Sequence, residues 1–436
     1  MKYLILLFGL ALGCVTKAAP PKPNIIFIVG DDCGYNEFSF NGGKIPTPRI
    51  DSIAKGGVTL THGYVTSAVC SPSRAGLLTG RYQERFGFLG NLPLKNLEVT
   101  GVPLDETMLP AVLKPAGYRT IAVGKWHLGW DPKFHPCARG FDDFYGFISG
   151  SRSYFPMAKP ELHNALMLDR KIVPGPENFT YTTDEFGDRA GAYIDRYKDQ
   201  PFFLYLAFNA THSPKDTLPE DMEKAGGGNK VAAKIAAMTI APDRNVGKVL
   251  DALDRNQLAE NTLVVFLSDN GGQEQHDNKP LRGFKHDVYE GGIHVPFVMR
   301  WPKVLPAGVK YERPVISLDL FATSLAIAGL PMPSEKPLDG VNLIPFLTGK
   351  DTGRPHESLY FMFGRGWAVR DGDMKLVLNG DRKGPPELFD LASDLSEKND
   401  LAASQPETVA RLRALFDKWN AQNKPSIWGN AKAKDE

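Results

Sequence analysis

Four apolar runs along the chain predict buried strands. They lie at residues 24–29, 120–123, 201–208 and 262–267. Their hydrophobic residues are continuous and do not alternate with polar ones, which is typical of parallel strands that helices cover on both faces. Helical patterns lie between the runs, for example at residues 108–117 and 245–256. The pattern predicts an α/β fold with a large, mainly parallel sheet flanked by helices.

The pattern changes near residue 349. Shorter strand-like pieces follow, and a helical pattern covers residues 406–419. We therefore predict a catalytic α/β domain over residues 20–348 and a smaller C-terminal α+β domain over residues 349–436. Within the first domain, Pro242 predicts an interruption of a helix.

The first 19 residues have the pattern of a secretory signal peptide. Lys2 precedes an apolar run that ends at Cys14, and small residues follow. The run is too short to span a membrane, so we expect an exported protein that is periplasmic or secreted. Anchoring as a lipoprotein through Cys14 is the alternative. Cys33 and Cys137 would remain after cleavage, and the sequence leaves open whether they pair.

The charge of the chain excludes some classes of partner. Its 436 residues carry a formal net charge of +1. Such a chain has no broad positive field for binding nucleic acid or an anionic membrane, so we expect neither partner. Any anionic substrate must be held by a few well-placed cations.

Polar side chains follow each of the four apolar runs at the point where the predicted strand ends. Because open α/β sheets bind ligands at the carboxyl ends of their strands, these residues are expected to meet at one edge. They are Asp31 and Asp32, then Lys125 and His127, then His212, then Asp269 and Asn270.

The oxygen ligands in this set predict a metal site. Asp31, Asp32, Asp269 and Asn270 offer only carboxylate and amide oxygens, which suit a hard divalent cation. From the residues alone, calcium and magnesium both remain open.

Cys70 occupies an unusual place for a cysteine. It directly precedes a Ser-Pro-Ser-Arg segment in which Ser71 suits an N-cap and Pro72 suits a first helical position. We therefore predict that Cys70 lies just outside a helix N-terminus, which favours reactions with anions.

Together these motifs resemble the formylglycine-dependent type I sulfatases of the alkaline phosphatase superfamily, and among them bacterial polysaccharide sulfatases. The motifs are CSPSRAGLLTGR, NIIFIVGDD, VGKWHLG, THSP, LSDNGG and LRGFKHDVYEGGIHVP. The resemblance implies an alkaline-phosphatase-like fold. It also implies that a formylglycine-generating enzyme converts Cys70, and that one calcium ion binds residue 70 with the four oxygen-ligand residues.

The resemblance also implies roles for the other residues of the motifs. Arg74 and Asp31 would hold the hydrated aldehyde of residue 70, and Lys125 would bind the sulfate group. His127 would be the base that releases sulfate, while His212 and Lys285 would serve the leaving oxygen.

The expected substrate is a sulfated polysaccharide or oligosaccharide, and residues 81–88 resemble relatives that act on carrageenan-type galactans. Two alternatives remain: a phosphomonoesterase or phosphonate hydrolase of the same superfamily, and a non-catalytic protein that binds sulfated glycans. Loops after strand ends commonly determine specificity. The candidate sugar contacts are His135, Arg139, Arg152, Tyr154 and His276.

Overall fold

The structure is a computed structural model that describes residues 22–93, 98–174, 177–228, 230–380 and 383–428. The predicted signal peptide, with Cys14, lies outside these residues. No helix in the described ranges is long and apolar enough to cross a membrane.

Strands and helices alternate through most of the chain. The strands are β1 (Asn24–Gly30), β2 (Val58–Leu60), β3 (Gly63–Tyr64), β4 (Arg119–Lys125), β5 (Asp143–Phe147), β6 (Met167–Leu168), β7 (Lys171–Ile172), β8 (Phe202–Ala207), β9 (Thr262–Ser268), β10 (Phe297–Arg300), β11 (Val309–Tyr311), β12 (Val315–Ile316), β13 (Ser358–Phe363), β14 (Gly366–Asp371), β15 (Met374–Leu378) and β16 (Glu387–Asp390). The α-helices are α1 (Pro48–Lys55), α2 (Cys70–Thr79), α3 (Leu109–Leu113), α4 (Thr182–Tyr197), α5 (Pro219–Lys224), α6 (Val231–Arg255), α7 (Glu290–Ile293), α8 (Asp319–Ala328), α9 (Ile344–Leu347) and α10 (Pro406–Asn420). Short 3-10 helices lie at Tyr35–Glu37, Ser39–Asn41, Gln83–Phe86, Lys114–Ala116, Pro132–Phe134, Pro136–Ala138 and Ala259–Asn261.

The central element is a ten-stranded sheet with the order β11-β2-β10-β9-β1-β8-β4-β5-β6-β7. Its middle strands, from β9 through β1, β8 and β4 to β5, are all parallel. The four apolar runs of the sequence form β1, β4, β8 and β9, so the predicted α/β fold is confirmed. The antiparallel pairs of β10 with β2 and β9 lie toward one edge.

Helices cover both faces of the sheet. One face packs against α2, α3 and α8 through residues such as Leu77, Leu109 and Leu325. The other face packs against α1, α4 and α6 through residues such as Ile53 and Ile194. Because both faces are buried, the middle strands carry apolar side chains at successive positions, as in the fully buried β1.

The predicted interruption at Pro242 is wrong, since α6 runs continuously from Val231 to Arg255. Proline removes one backbone hydrogen bond from a helix interior and costs about 3 kcal/mol. Here Pro242 is buried within a long helix that packs against α4, and this packing outweighs the local cost. Local propensity is overridden by tertiary contacts at this point.

The C-terminal part contains a four-stranded antiparallel sheet, β13-β14-β15-β16, against which α10 packs. A group of buried polar residues joins this sheet to the rest of the protein. We call it the interface cluster, and it consists of Tyr64, Glu290, His294, Arg370, Lys375 and Glu397.

Within the interface cluster, positive and negative groups alternate. Lys375 Nζ lies 2.8 Å from Glu290 Oε1 and 2.8 Å from Glu397 Oε1. The other Glu290 oxygen, Oε2, accepts a hydrogen bond from the Tyr64 hydroxyl at 2.6 Å and lies 2.9 Å from His294 Nδ1. The cluster therefore ties β15 to α7, which directly follows a loop of the candidate site.

Candidate active site

Cys70 is the first residue of α2, and it is completely buried. The prediction that it lies outside the helix with Ser71 as N-cap is therefore wrong. Val69 occupies the N-cap position with extended backbone, and the Ser71 hydroxyl donates to the His127 carbonyl at 2.6 Å. Because a tertiary hydrogen bond uses the Ser71 hydroxyl, the helix begins two residues earlier than its local sequence indicates.

The parallel register of β1 and β9 brings the acidic residues together. Gly30 pairs with Ser268 at the ends of these strands, so Asp31 and Asp269 emerge side by side. Potential ligand atoms of Asp31, Asp32, Cys70 and Asp269 all lie within 4.8 Å of one another. Cys70 Sγ is 3.4 Å from Asp31 Oδ1, so the thiol faces the carboxylates.

Each acidic side chain of this group also contacts a cation. We call the three acids and their three cations the site cluster, which consists of Asp31, Asp32, Asp269, Arg74, Lys125 and Lys285. Arg74 Nε donates to Asp269 Oδ2 at 2.8 Å, Lys125 Nζ donates to Asp31 Oδ2 at 2.7 Å, and Lys285 Nζ donates to Asp32 Oδ2 at 3.2 Å. The predicted cations therefore converge on the predicted metal ligands.

Two features of the backbone bring these cations into place. Lys125 ends β4 after Gly124, whose φ is +104° and whose added Cβ would lie 1.9 Å from the Ala207 carbonyl oxygen. Only glycine fits there. The Lys285 loop is held by the C-terminal sheet, because Asn379 accepts from the Val288 N–H at 3.1 Å and donates to Asp287 at 2.6 Å.

The donor set fits a hard divalent cation. Asn270 Oδ1 is buried and has no hydrogen-bond partner among the described residues, while Asn270 Nδ2 donates to Asp32 Oδ1 at 2.7 Å. A buried amide oxygen without a donor is costly unless a cation binds it. Three carboxylates and this amide oxygen therefore form a suitable ligand set for calcium.

The histidines of the site are held in their neutral forms. Burial and the nearby charges of Lys125 and Arg74 lower the pKa of His127 well below its usual value. Its Nδ1 is buried without a partner among the described residues. Burial also lowers the pKa of His212 to about 4, although Asp32 opposes this shift. His212 Nε2 lies 3.9 Å from Asp32 Oδ2.

Burial and neighbouring charges perturb the acids and the thiol as well. Burial alone would raise the pKa of Asp32, but Lys285, His212 and Lys125 together hold it far below its usual value. Burial, followed by the charge of Asp269, raises the pKa of the Cys70 thiol. The unmodified thiol is therefore protonated at neutral pH and a poor nucleophile.

All five candidate sugar contacts are buried and bonded within the protein. They are His135, Arg139, Arg152, Tyr154 and His276. Arg139 donates to the carbonyls of Val102 and Glu106, at 2.6 and 2.7 Å. Arg152 donates to Glu177 at 2.6 Å. These two residues stabilise loops around the site.

Other residues of this group shape the loop that carries His212. The Tyr154 hydroxyl donates to the carbonyls of Asn209 and His212, and Asn209 itself is buried.

His135 accepts from the Cys137 N–H at 3.2 Å. Cys137 and Cys33 are both free, which settles the question that the sequence left open.

Sequence reasoning missed two residues next to the site. Gln273 Nε2 donates to Asp32 Oδ2 at 2.8 Å, and Lys215 Nζ lies 2.9 Å from His276 Nε2. The sequence contained a signal that both residues lie near the site, because Gln273 directly follows the LSDNGG motif and Lys215 directly follows the THSP motif. Extending each motif by one residue would have included both.

Comparison with known families identifies the chain. Residues 23–330 match the family model described as Sulfatase. The chain belongs to the sulfatase family. Residues 284–422 of this sulfatase also match the model described as N-sulphoglucosamine sulphohydrolase, C-terminal, a range that includes the four-stranded sheet and α10. The protein is therefore a sulfuric ester hydrolase, and its family generally uses formylglycine and calcium.

Relatives of this sulfatase span nearly the whole chain. It is 31% identical to an N-acetylgalactosamine-6-O-sulfatase of Bacteroides thetaiotaomicron, covering 95% of this chain and 98% of the relative. It is 30% identical to the uncharacterized sulfatase YdeN of Escherichia coli (strain K12), covering 93% and 87%. The crystal structure of Ps i-CgsB in complex with k-i-k-neocarrahexaose has a TM-score of 0.89 and 37% identity, covering 95% of this chain and 96% of that chain.

Proposed function

We propose that this sulfatase removes sulfate esters from sulfated carbohydrates, in particular from carrageenan-type galactans. The observation that carries the proposal is the similarity to Ps i-CgsB, which was solved with a neocarrahexaose and matches over 95% of this chain. The similarity to an N-acetylgalactosamine-6-O-sulfatase supports a galactose-configured sugar more generally.

We assign residue 70 as the nucleophile after conversion of Cys70 by a formylglycine-generating enzyme. Its hydrated aldehyde would supply two hydroxyl groups, one to attack sulfur and one whose deprotonation releases sulfate. The position of Cys70 supports this assignment, because its side chain faces Asp31 and Asp32 at 3.4 and 3.9 Å.

We assign Asp31, Asp32, Asp269 and Asn270, together with residue 70, as calcium ligands. Calcium held there would neutralise charge on the sulfate group and polarise its sulfur–oxygen bonds. Lys125, at the end of β4, and Arg74, in α2, are neighbours, because Arg74 Nη1 donates to the Lys125 carbonyl at 3.2 Å. In our proposal Lys125 binds a sulfate oxygen, while Arg74 and Asp31 orient the hydroxyl groups of residue 70.

We assign His127 as the base, because burial and Lys125 lower its pKa and so keep the imidazole neutral, and a neutral imidazole has a nitrogen that can accept a proton. His212 and Lys285 flank Asp32, at 3.9 and 3.2 Å, and serve the leaving oxygen. With a pKa of about 4, His212 is neutral at neutral pH, and its Nδ1 donates to the Ser213 carbonyl at 2.8 Å, so Nε2 carries no proton. Lys285 is therefore the cationic donor of this pair.

The proposal extends to the location of the enzyme and to its domains. We infer an exported enzyme that is periplasmic or secreted, with a catalytic domain over residues 20–348 and a C-terminal domain over residues 349–436. An extracellular location agrees with a polysaccharide substrate, which does not enter the cytoplasm intact.

The proposal is tested by sulfate release from carrageenan oligosaccharides, glycosaminoglycans, fucoidan, and simple aryl and steroid sulfates. Enzyme produced together with a formylglycine-generating enzyme should show a residue-70 peptide about 18 Da lighter than the cysteine form. We expect carrageenan oligosaccharides to be the best substrates. Faster turnover of steroid sulfates than of every glycan would refute the carbohydrate assignment, and faster turnover of aryl phosphate than aryl sulfate would favour the phosphatase alternative.

A further inference from the structure

Lys215 lies in the loop after β8, three residues beyond His212. Its Nζ donates to the Thr211 carbonyl at 2.7 Å and lies 2.9 Å from His276 Nε2. The side chain is half-buried, so the ammonium group is fixed in position without being sealed inside the protein.

A buried acid and histidine fix the position of Lys215. His276 Nδ1 lies 2.7 Å from Glu37 Oε1, and neither side chain is more than 1% exposed. The second oxygen, Glu37 Oε2, accepts the N–H of Gly34 at 2.9 Å. With Nδ1 donating to the carboxylate, Nε2 presents its lone pair to Lys215, so His276 and Glu37 together orient the ammonium group.

Lys215 differs from the cations of the site cluster in what it contacts. Arg74, Lys125 and Lys285 each contact a carboxylate of a predicted metal ligand. Among the residues that the structure describes, Lys215 forms no ion pair of this kind. Its two hydrogen-bond partners, a carbonyl and an imidazole, do not neutralise its charge. A half-buried cation held in this way is complementary to an anion supplied from outside the chain.

The anchoring of Lys215 indicates which anion this is. Lys215 donates to the carbonyl of Thr211. Thr211 is in turn bound to the backbone of a predicted metal ligand, because its N–H donates to the Asp31 carbonyl at 2.6 Å. Among the described residues, the Lys215 ammonium group makes no hydrogen bond or ion pair with Cys70 or with the acids around it, so it is not one of the groups that contact Cys70 directly. The sulfate ester under attack must approach residue 70, so the anion at Lys215 is a different group of the same substrate.

We propose that Lys215 is a specificity-determining residue that binds a second anionic group of the substrate, with His276 and Glu37 as positioning residues. The anion is a sulfate or a carboxylate on the same sugar or on its neighbour. This inference rests on the proposed function, because it concerns the substrate of that same site.

The test is a binding experiment that does not depend on turnover. Full-length protein expressed without a formylglycine-generating enzyme keeps Cys70, and its affinity in calcium buffer is measured by calorimetry. The probes are galactose 6-sulfate, a disulfated carrageenan disaccharide and a chondroitin 6-sulfate disaccharide. We expect tighter binding of a two-anion probe than of galactose 6-sulfate, and Lys215→Gln should reduce this preference roughly tenfold. The probe that shows the preference distinguishes sulfate from carboxylate.

Three further variants sharpen the test. Lys215→Arg keeps the charge and should retain part of the preference, while Lys224→Gln removes an exposed lysine of α5 and should leave it unchanged. His276→Phe keeps the lysine at position 215 but removes the imidazole that orients its ammonium group. This variant should therefore also lower the preference for two-anion probes. It provides a second test if Lys215→Gln does not fold.

Two results would overturn the proposal: a wild-type protein without preference for two anions, or a Lys215→Gln variant that weakens all three probes equally. Failure of the proposed function gives a different result, namely that matured wild-type enzyme releases no sulfate from any glycan, whatever the affinity ratio.

Discussion

The protein buries two groups of charged residues, and their arrangements differ. In the interface cluster Lys375 lies between the carboxylates of Glu290 and Glu397, at 2.8 Å from each. In the site cluster the cations lie at the periphery, and the carboxylates of Asp31, Asp32 and Asp269 face one another around Cys70. In the first arrangement two carboxylates share one lysine, whereas in the second three carboxylates converge and offer ligand atoms to a further cation.

This difference separates a structural role from a binding role better than burial or charge does. Both clusters are buried and both contain acids, lysine and arginine. Among the described residues, only the site cluster brings three carboxylates within 4.8 Å of one another and of a thiol, and the neighbouring Asn270 oxygen has no partner there. Converging carboxylates beside an unpartnered buried amide oxygen indicate a cation site, because such a group of acceptors is costly to bury without a positive charge.

The largest expected effect is on catalysis at the site cluster. Cys70→Ser cannot form formylglycine through the cysteine route and should lower turnover of a sulfated glycan by roughly 10⁴-fold. Its melting temperature should change little. Cys137→Ser, at a half-buried free thiol that the site does not use, is the control and should retain activity. A Cys70→Ser enzyme with wild-type rates would contradict the mechanism.

The next effect is on stability at the interface cluster. Lys375→Met leaves Glu290 and Glu397 buried without their shared cation, and it should destabilise the protein by about 3–5 kcal/mol. Turnover per folded molecule at low temperature should be preserved. Chemical denaturation followed by activity measurement checks both statements, with the exposed Lys398→Met as control. Equal stability of the two variants would show that the cluster does not hold the sheet.

Calcium should stabilise the site cluster. Adding calcium at about 100 times its dissociation constant to metal-free protein should stabilise the fold by about 2.7 kcal/mol, seen as a higher melting temperature. Asp269→Ala should lose this response together with activity, because a ligand and its charge disappear. Exposed Asp254→Ala should behave as wild type. Stoichiometric zinc in place of calcium would overturn the assignment.

A smaller effect concerns a buried acid that belongs to neither cluster. Burial raises the pKa of Glu84 to about 8, and its Oε2 has no partner among the described residues. Since the folded state holds this proton more tightly than the unfolded state, stability falls as pH rises from about 4.5 to about 8. Glu84→Gln mimics the protonated form, so its melting temperature should exceed that of wild type by roughly 3 °C at pH 9 and not at pH 4. Parallel pH profiles for both proteins would contradict the shift.

The sequence predicted the middle of the sheet and the composition of the site for a common reason. Strands buried on both faces carry continuous apolar runs, and the residues that end them must share one edge. The strands toward one edge, β11 and its neighbour β2, have only three residues each and gave no such signal. Their pairing depends on tertiary contacts that local sequence does not encode.

The errors at the site have a similar origin. Ser71 was predicted as an N-cap from its type and position, but its hydroxyl bonds to His127, which is 56 residues away. Residue type likewise made Arg139 and Arg152 candidates for sugar contacts, yet both are used by nearby carbonyls and by Glu177. A sequence shows which side chains can bind an anion, but not which already have partners.

The complete burial of Cys70 has a consequence for the order of events in the life of the protein. In our proposal, a modifying enzyme must bind the segment around Cys70, and residues 70–79 are all buried in the folded chain, with the thiol facing Asp31 and Asp32. We therefore expect conversion to precede folding, while the segment is still extended. If export delivers an unfolded chain, maturation and folding compete for the same interval, and each molecule that folds first stays permanently inactive. The fraction of active enzyme is then set by the relative rates of these two processes.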